Sequence, residues 1–143
     1  MKLFDVNVAV YAHRADSTPD HERYAAWLIG LAESENRFAF SELVLSAFVR
    51  IVTNRAIFKT PTPLSAALEF CEQLRGRPNA TSLVPGPGHW TIFVDLCRSV
   101  KAQGKLVADA YLAALAVEND CDWYSSDADF TRFPGLRWRH PLG

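Results

Sequence analysis

The chain has 143 residues, enough for about one domain, and its 49% apolar and 22% charged content is that of a folded protein with a sizeable core. Fifteen Lys and Arg against sixteen Asp and Glu give a net charge of −1, which argues against binding to nucleic acid through one large basic surface but leaves room for a local basic patch. No stretch reaches the roughly 20 apolar residues of a membrane span, and Asp5 interrupts the N-terminus where a signal peptide would need its apolar core. We therefore expect a soluble cytoplasmic protein that forms one domain over residues 1–143.

Segments of strand type alternate with segments of helical periodicity along the chain. The predicted strands are Lys2–Val6, Arg37–Phe40, Thr81–Val84, Asp122–Ser125 and Leu136–His140. The predicted helices are Pro19–Ser34, Glu42 to about Asn54, Pro63 to about Arg75, His89–Lys101 and Leu106–Glu118, with one helical turn at Asp129–Phe133. Thr18 and Thr62, each followed by Pro, are the expected N-caps of two helices. The segment after Glu42 is rich in β-branched residues, so a strand is an alternative to the helix there. This alternation predicts an α/β sandwich with a mostly parallel sheet covered on both faces.

Four acidic residues stand where carboxylates are unexpected. Asp5 follows the first predicted strand, Glu42 the second and Asp127 the fourth. Because the carboxyl ends of parallel strands meet at one edge of a sheet, where ligands bind, these acids should share one rim. Asp109 lies inside the apolar segment Leu106–Ala116, where an unpaired buried charge would cost several kcal/mol. All four positions therefore need a compensating partner or a function.

Taken one at a time, these acids have ordinary explanations. An Asp after a strand can accept bonds from the next backbone N–H groups, and Glu42 suits the start of a helix. Asp109 could pair with Lys105 one turn earlier, although the order with lysine first is the weaker orientation. Taken together, four acids on one rim would repel one another strongly unless a cation lay between them. A cluster of oxygen ligands without His or Cys favours a hard divalent ion such as Mg²⁺.

The chemistry of such a site would be metal-assisted hydrolysis. The ion would lower the pKa of a bound water and neutralise charge on a phosphodiester, so no side-chain nucleophile is needed. Ser125 and Ser126 lack the GxSxG context of a serine nucleophile, and the four histidines show no metal-ligand spacing. Cys71, Cys97 and Cys121 form no CxxC motif, which favours buried free thiols over disulfides or a zinc site.

Three ordered motifs carry a resemblance to a known family. Asp5-Val6-Asn7, the segment Leu106–Ala114 and Ser126-Asp127-Ala128-Asp129-Phe130 resemble the motifs of PIN-domain ribonucleases, and the likeness spans almost the whole chain. Within that family the chain resembles the VapC toxins of bacterial toxin–antitoxin pairs, especially those that end in a motif like Asp129–Trp138. The resemblance implies a PIN-like three-layer α/β/α sandwich, a Mg²⁺- or Mn²⁺-dependent endoribonuclease with tRNA or rRNA as substrate, homodimerisation, and inhibition by a VapB-type antitoxin that inserts a segment near the acidic site.

The resemblance also assigns roles to residues. Asp5 and Asp109 match the metal-binding aspartates of the family, and Asp127 matches its fourth acidic position. Glu42 is the acid available in the segment that carries the family's glutamate, and Asn7 matches a small polar residue two places after the first aspartate. The resemblance thus implies that Asp5, Asp109 and Asp127 hold the metal and that Glu42 assists catalysis.

Two positions depart from the family pattern. The family's glutamate stands further into the helix, where this chain has Ala47, and the residue before Asp109, often one with a hydroxyl, is Ala108. These departures leave open a second class of function, a PIN-like binding module with weak catalysis whose acidic pocket receives a basic peptide. A phosphatase of the haloacid type is disfavoured because it requires Asp-x-Asp after the first strand, and Asn7 replaces the second Asp.

Overall fold

A sheet of five short strands forms the centre of the protein, in a computed structural model that describes residues 1–143. The strands are β1 (Lys2–Phe4), β2 (Phe38–Phe40), β3 (Ala80–Ser82), β4 (Asp122–Tyr124) and β5 (Arg137–Arg139). They lie in the order β3-β2-β1-β4-β5, and all four pairings are parallel. The prediction of a mostly parallel sheet is confirmed.

Six helices flank the sheet. They are α1 (Val6–His13), α2 (His21–Glu33), α3 (Glu42–Val52), α4 (Leu64–Arg75), α5 (His89–Val100) and α6 (Lys105–Glu118), and a 3₁₀ turn spans Ala128–Arg132. Helix α1 packs against α2 and α3, α3 packs against α4, and α5 packs against α6. The architecture is the predicted three-layer α/β/α sandwich. No helix combines the length and the apolar character that crossing a bilayer would require.

The central strands β1, β2 and β4 carry buried apolar residues because helices cover both faces of the sheet. Leu3, Phe4, Phe38 and Trp123 are fully buried, and they belong to one hydrophobic cluster that extends into the helices. The three cysteines are free thiols, as predicted: two are buried and Cys97 is half-buried. The rigid centre of the sheet fixes the positions of the residues that follow each strand.

A helix directly after β1 was absent from the prediction, which extended the first strand to Val6. The strand ends at Phe4 because Asp5 acts as the N-cap of α1, its carboxylate accepting a bond of 2.7 Å from the backbone N–H of Val6. The valine-rich sequence of α1 concealed this helix, since β-branched residues are more typical of strands. The consequence is that Asp5 sits between a buried strand and a buried helix.

The two predicted starts at a Thr-Pro pair are wrong in detail. Helix α2 begins at His21, so Thr18 is not its N-cap. Helix α4 begins at Leu64, and the Thr62 hydroxyl does not cap it but lies 3.0 Å from His13 Nε2 and accepts a bond of 3.3 Å from Arg14. A tertiary partner therefore displaced the local cap that the sequence pattern favoured.

The helical spacing of Leu64, Leu68, Cys71 and Leu74 predicts that these residues form one buried face of α4, and the structure buries only two of the four. Cys71 and Leu74 are buried together with Ala67, but Leu64 and Leu68 are 59% and 48% exposed. The buried face of α4 therefore runs through Ala67, Cys71 and Leu74. Leu64 and Leu68 consequently lie on the surface.

The segment Leu106–Glu118 is apolar nearly all round, which predicts a helix buried in the middle of the fold, but α6 is buried only in part. Residues 113–116 are buried, whereas Lys105, Val107 and Ala108 in the first turn are exposed. The helix therefore begins at the surface and enters the core in its second half. Asp109 lies between these two parts and is 8% exposed.

Candidate acidic site

The site lies where the strand order changes direction. From β1 the chain proceeds through β2 to β3 on one side of the sheet, and later through β4 to β5 on the other. Phe4 pairs with Tyr124, and the Asp5 N–H donates a bond of 2.9 Å to the Tyr124 carbonyl. The chain therefore leaves β1 at Asp5 and β4 at Ser125 side by side, in the crevice where open α/β sheets bind ligands.

Asp5 is held by hydrogen bonds from both directions. Its Oδ2 accepts a bond of 2.8 Å from the Ser125 hydroxyl, and the Asn7 amide lies 3.4 Å from the same oxygen and 3.2 Å from Ser125 Oγ. Burial raises the pKa of Asp5 to about 6, because it outweighs the opposing effect of the bonds from Ser125 and Val6, and the nearby Asp109 adds to the increase. Asp5 is thus a rigid, buried carboxyl that a nearby cation would ionise.

Asp127 is connected to Asp5 through Ser125. The Asp127 N–H donates to Ser125 Oγ at 3.1 Å, and its own Oδ1 accepts a bond of 2.9 Å from the Asp129 N–H at the start of the 3₁₀ turn. Burial opposes ionisation of Asp127, but the bonds from Lys105 and from the Asp129 N–H are stronger in effect and hold its pKa below the usual value. Its Oδ2 therefore remains charged and faces Lys105.

Asp109 has the compensating partner that its position in an apolar segment requires, and that partner is Lys105, the pairing that the sequence left open. The Lys105 ammonium lies 3.0 Å from Asp109 Oδ2 and 2.9 Å from Asp127 Oδ2. Burial raises the pKa of Asp109, the Lys105 contact partly offsets the increase, and the charge of Asp127 adds to it. The contacts with Asp127 and Asp109 raise the pKa of Lys105, which keeps the ammonium charged. One nitrogen thus joins two carboxylates that are far apart in the sequence.

The structure does not bring Glu42 into this cluster. It stands at the start of α3, its side chain is 60% exposed, and its carboxylate forms an ion pair of 3.3 Å with Arg75. The groups that perturb the three aspartates do not include Glu42. Its catalytic role stays a prediction without a supporting contact.

The oxygen atoms of the cluster fit a hard cation. No three acidic, His or Cys side chains, as they stand, are arranged closely enough to hold one ion directly. Mg²⁺ does not require three, since it takes one or two carboxylates and otherwise keeps water and substrate phosphates. Asp109 and Asp127 already direct one oxygen each at a single cationic nitrogen. The chemistry of this donor set suits Mg²⁺ or Mn²⁺ and not zinc.

The structure gives two residues of the cluster contacts that the sequence did not predict. Ser125 directly follows β4, just as Asp5 directly follows β1. The placement of polar residues at the carboxyl ends of parallel strands, which pointed to Asp5, therefore also points to Ser125. Lys105 was considered only as a neighbour of Asp109 on α6. Its second contact, with Asp127, joins residues separated by 22 positions and has no signal in the local sequence.

An apolar groove of about 670 Å³ adjoins the acidic cluster. It lies between α3 and α6, with Leu43, Ala47, Val107 and Ala108 among its walls. The two alanines are the positions where the family pattern would place a glutamate and a hydroxyl. The side of the cluster that faces α3 is therefore apolar in this chain.

Comparisons with known proteins support one family. The PIN domain family matches residues 2–136. The chain is 45% identical over 142 residues to ribonuclease VapC43 of Mycobacterium tuberculosis, an alignment that covers 99% of this chain and 96% of the relative. It is 39% identical over 141 residues to ribonuclease VapC25 of the same organism, with 99% of each chain covered. Among solved structures, FitAcB from Neisseria gonorrhoeae gives a TM-score of 0.70 at 20% identity over 99% of this chain and 98% of that one. VapBC2 from Rickettsia felis, bound to a DNA fragment from its promoter, gives 0.68 at 19% identity over 97% of each chain. At this identity the structural likeness shows the fold.

Proposed function

The chain belongs to the PIN-domain family of VapC ribonucleases, and we propose that it is an endoribonuclease toxin that requires Mg²⁺ or Mn²⁺ and is neutralised by a cognate antitoxin. The observation that carries the proposal is the meeting of Asp5, Asp109 and Asp127, from three distant parts of the chain, at the switch point of the sheet. The identity to curated VapC ribonucleases over nearly the whole chain supports the same activity.

Some residues of the cluster would bind the metal ion, and others orient those that bind it. Asp109 and Asp127 would hold the ion through the oxygens that now face Lys105, with Asp5 as the third carboxylate. When bound, Mg²⁺ or Mn²⁺ supplies a water of lowered pKa and neutralises charge on the phosphodiester. Ser125 and Asn7 fix the orientation of Asp5, and Ser125 also fixes the backbone of Asp127.

Metal-dependent cleavage tests this function directly. We expect purified protein to cut a mixture of tRNA and rRNA into discrete fragments with Mn²⁺, to leave it intact with EDTA, and to regain activity when Mn²⁺ is added in excess. Gel analysis of the RNA measures the outcome, and an Asp109→Asn preparation made in parallel controls for contaminating ribonucleases. Intact RNA in the presence of Mn²⁺, with folded protein, would instead support the binding module.

We also propose that the apolar groove between α3 and α6 receives a segment of the antitoxin. The groove is lined mainly by hydrophobic side chains and lies beside a cluster of negative charge, so it suits a segment that combines apolar and basic residues. Homodimerisation and action in the cytoplasm, both implied by the family resemblance, are further parts of the proposal.

A charge in the groove should weaken antitoxin binding. Leu43 is 54% exposed on the wall of the groove, so Leu43→Glu would place a carboxylate in an apolar contact without disturbing the core. We expect affinity for the cognate antitoxin to fall by about tenfold or more, measured by titration calorimetry. Leu68→Glu is the matched control, since Leu68 is 48% exposed on α4, away from the groove. Equal loss in both variants, or none in Leu43→Glu, would contradict the assignment.

A further inference from the structure

We propose that Lys105 is an internal counter-ion that holds Asp109 and Asp127 together without metal and competes with the divalent ion for them. The inference rests on the proposed function, because it assumes that the metal uses these carboxylates. It assigns to Lys105 a role in setting metal affinity, which neither the motifs nor the family match assigns.

The contacts of Lys105 carry the first step. Its Nζ is within hydrogen-bond distance of one oxygen of each carboxylate, Asp109 Oδ2 at 3.0 Å and Asp127 Oδ2 at 2.9 Å. The side chains of these acids are only 11% and 27% exposed, so water screens their repulsion poorly. The ammonium therefore takes the place between the carboxylates that a cation would otherwise take.

The second step is that both cations need the same oxygen atoms. Mg²⁺ binds carboxylate oxygens at about 2.0–2.1 Å, closer than the ammonium now lies. Two positive groups against the same pair of oxygens would repel each other strongly at such short range. Binding of the ion through Asp109 and Asp127 therefore requires Lys105 to leave. The apparent affinity for metal is then the intrinsic affinity multiplied by the fraction of molecules in which Lys105 is not paired.

The third step is that Lys105 can leave at little structural cost. Its side chain is 72% exposed, and it is the first residue of α6, where its side chain contributes no helix-capping bond. A lysine is a hydrated point charge on a flexible stem, so its ammonium exchanges a carboxylate for water without any change of the backbone. Lys105 can therefore hold the two carboxylates together without metal and still be displaced by the ion.

Calorimetric titration of Mn²⁺ into metal-free protein tests this role. We expect Lys105→Met to bind Mn²⁺ about fivefold more tightly than the parent, the effect of removing a partly exposed competitor. Lys105→Arg keeps the charge and should bind no more tightly than the parent. Lys59→Met removes one positive charge from the exposed loop between α3 and α4 and should leave the affinity within about twofold.

Thermal unfolding gives a second readout of the same role. Without metal, Lys105→Met should unfold at a lower temperature than the parent, because Asp109 and Asp127 then face each other without a cation, and Mn²⁺ should raise its melting temperature by more than it raises that of the parent. Lys105→Gln, which keeps a polar side chain, replaces it in both experiments if the Met variant does not fold.

The inference and the proposed function fail in different ways. If Asp109→Asn loses Mn²⁺ binding but Lys105→Met binds Mn²⁺ no more tightly than the parent, Lys105 is only a structural tie and the inference is wrong while the metal site stands. If Asp109→Asn binds Mn²⁺ as the parent does, the metal lies elsewhere, and both the inference and the assignment of the ion to Asp109 are overturned, whereas the proposed function itself fails only if the parent does not cleave RNA with Mn²⁺.

Discussion

Replacement of Asp109 by Asn is expected to reduce metal-dependent RNA cleavage by more than about a hundredfold. Loss of a residue that only orients a metal ligand usually costs about 10- to 100-fold, and Asp109 is proposed to be a ligand itself. Asn keeps the size of the side chain and an oxygen for Lys105, but it lacks the charge that a divalent ion requires. Loss of the ion pair with Lys105 destabilises the protein, whereas removal of a partly buried charge stabilises it. Because the two effects oppose each other, the free energy of unfolding of the metal-free protein should change by no more than about 1 kcal/mol. Cleavage rates and thermal unfolding measure the two effects.

The matched control for this variant is Asp95→Asn. Asp95 is an exposed acid on α5, so its replacement removes the same charge without touching the cluster. We expect it to cut RNA as the parent does. An Asp109→Asn protein of verified mass that cleaved RNA at the parental rate would remove Asp109 from the site.

Replacement of Asp5 by Asn is expected to abolish cleavage and, at the same time, to stabilise the metal-free protein. Burial raises the pKa of Asp5 from 3.8 to about 6. The charged carboxyl therefore lowers the free energy of unfolding of the protein by as much as about 3 kcal/mol. Asn is a good N-cap, and its side-chain oxygen can still accept the bond from the Val6 N–H. Function and stability should therefore change in opposite directions at this position.

The pH dependence follows from the direction of the Asp5 shift. Because its pKa is higher in the folded than in the unfolded protein, the folded state binds this proton more tightly, and the free energy of unfolding falls as pH rises from about 4 to about 6. The stability gained by Asp5→Asn should thus be absent below pH 3.8, grow over this interval and remain constant above it.

Urea unfolding in EDTA between about pH 3 and pH 8 measures the difference between parent and variant, with Asp95→Asn as the control for one lost charge. A difference that did not vary with pH would contradict the burial of Asp5. In the parent, protonation of Asp5 below about pH 6 should also weaken Mn²⁺ binding and cleavage, since the site then carries one negative charge fewer.

Much of the fold was predictable because it depends on patterns that are local in the sequence. Buried parallel strands are continuous apolar runs, and amphipathic helices repeat with their own period, so their alternation indicated the sandwich. The helix α1 was missed because its propensity is that of a strand, and only the packing of its valines in the core and the cap at Asp5 make it helical. The start of α4 was misplaced because Thr62 bonds to Arg14, a partner that no local pattern reveals.

The candidate site divides in the same way. Local sequence identifies Asp5, Asp109 and Asp127 as unusual, because charge in apolar segments and at strand ends is costly wherever the chain folds. Their connections follow from the packing: Ser125 joins Asp5 to the backbone of Asp127, Lys105 joins Asp109 to Asp127, and Glu42 pairs with Arg75 instead. These contacts depend on the register of β1 against β4 and on where the first turn of α6 meets the loop after β4, and neither is specified by residues that are neighbours in the sequence.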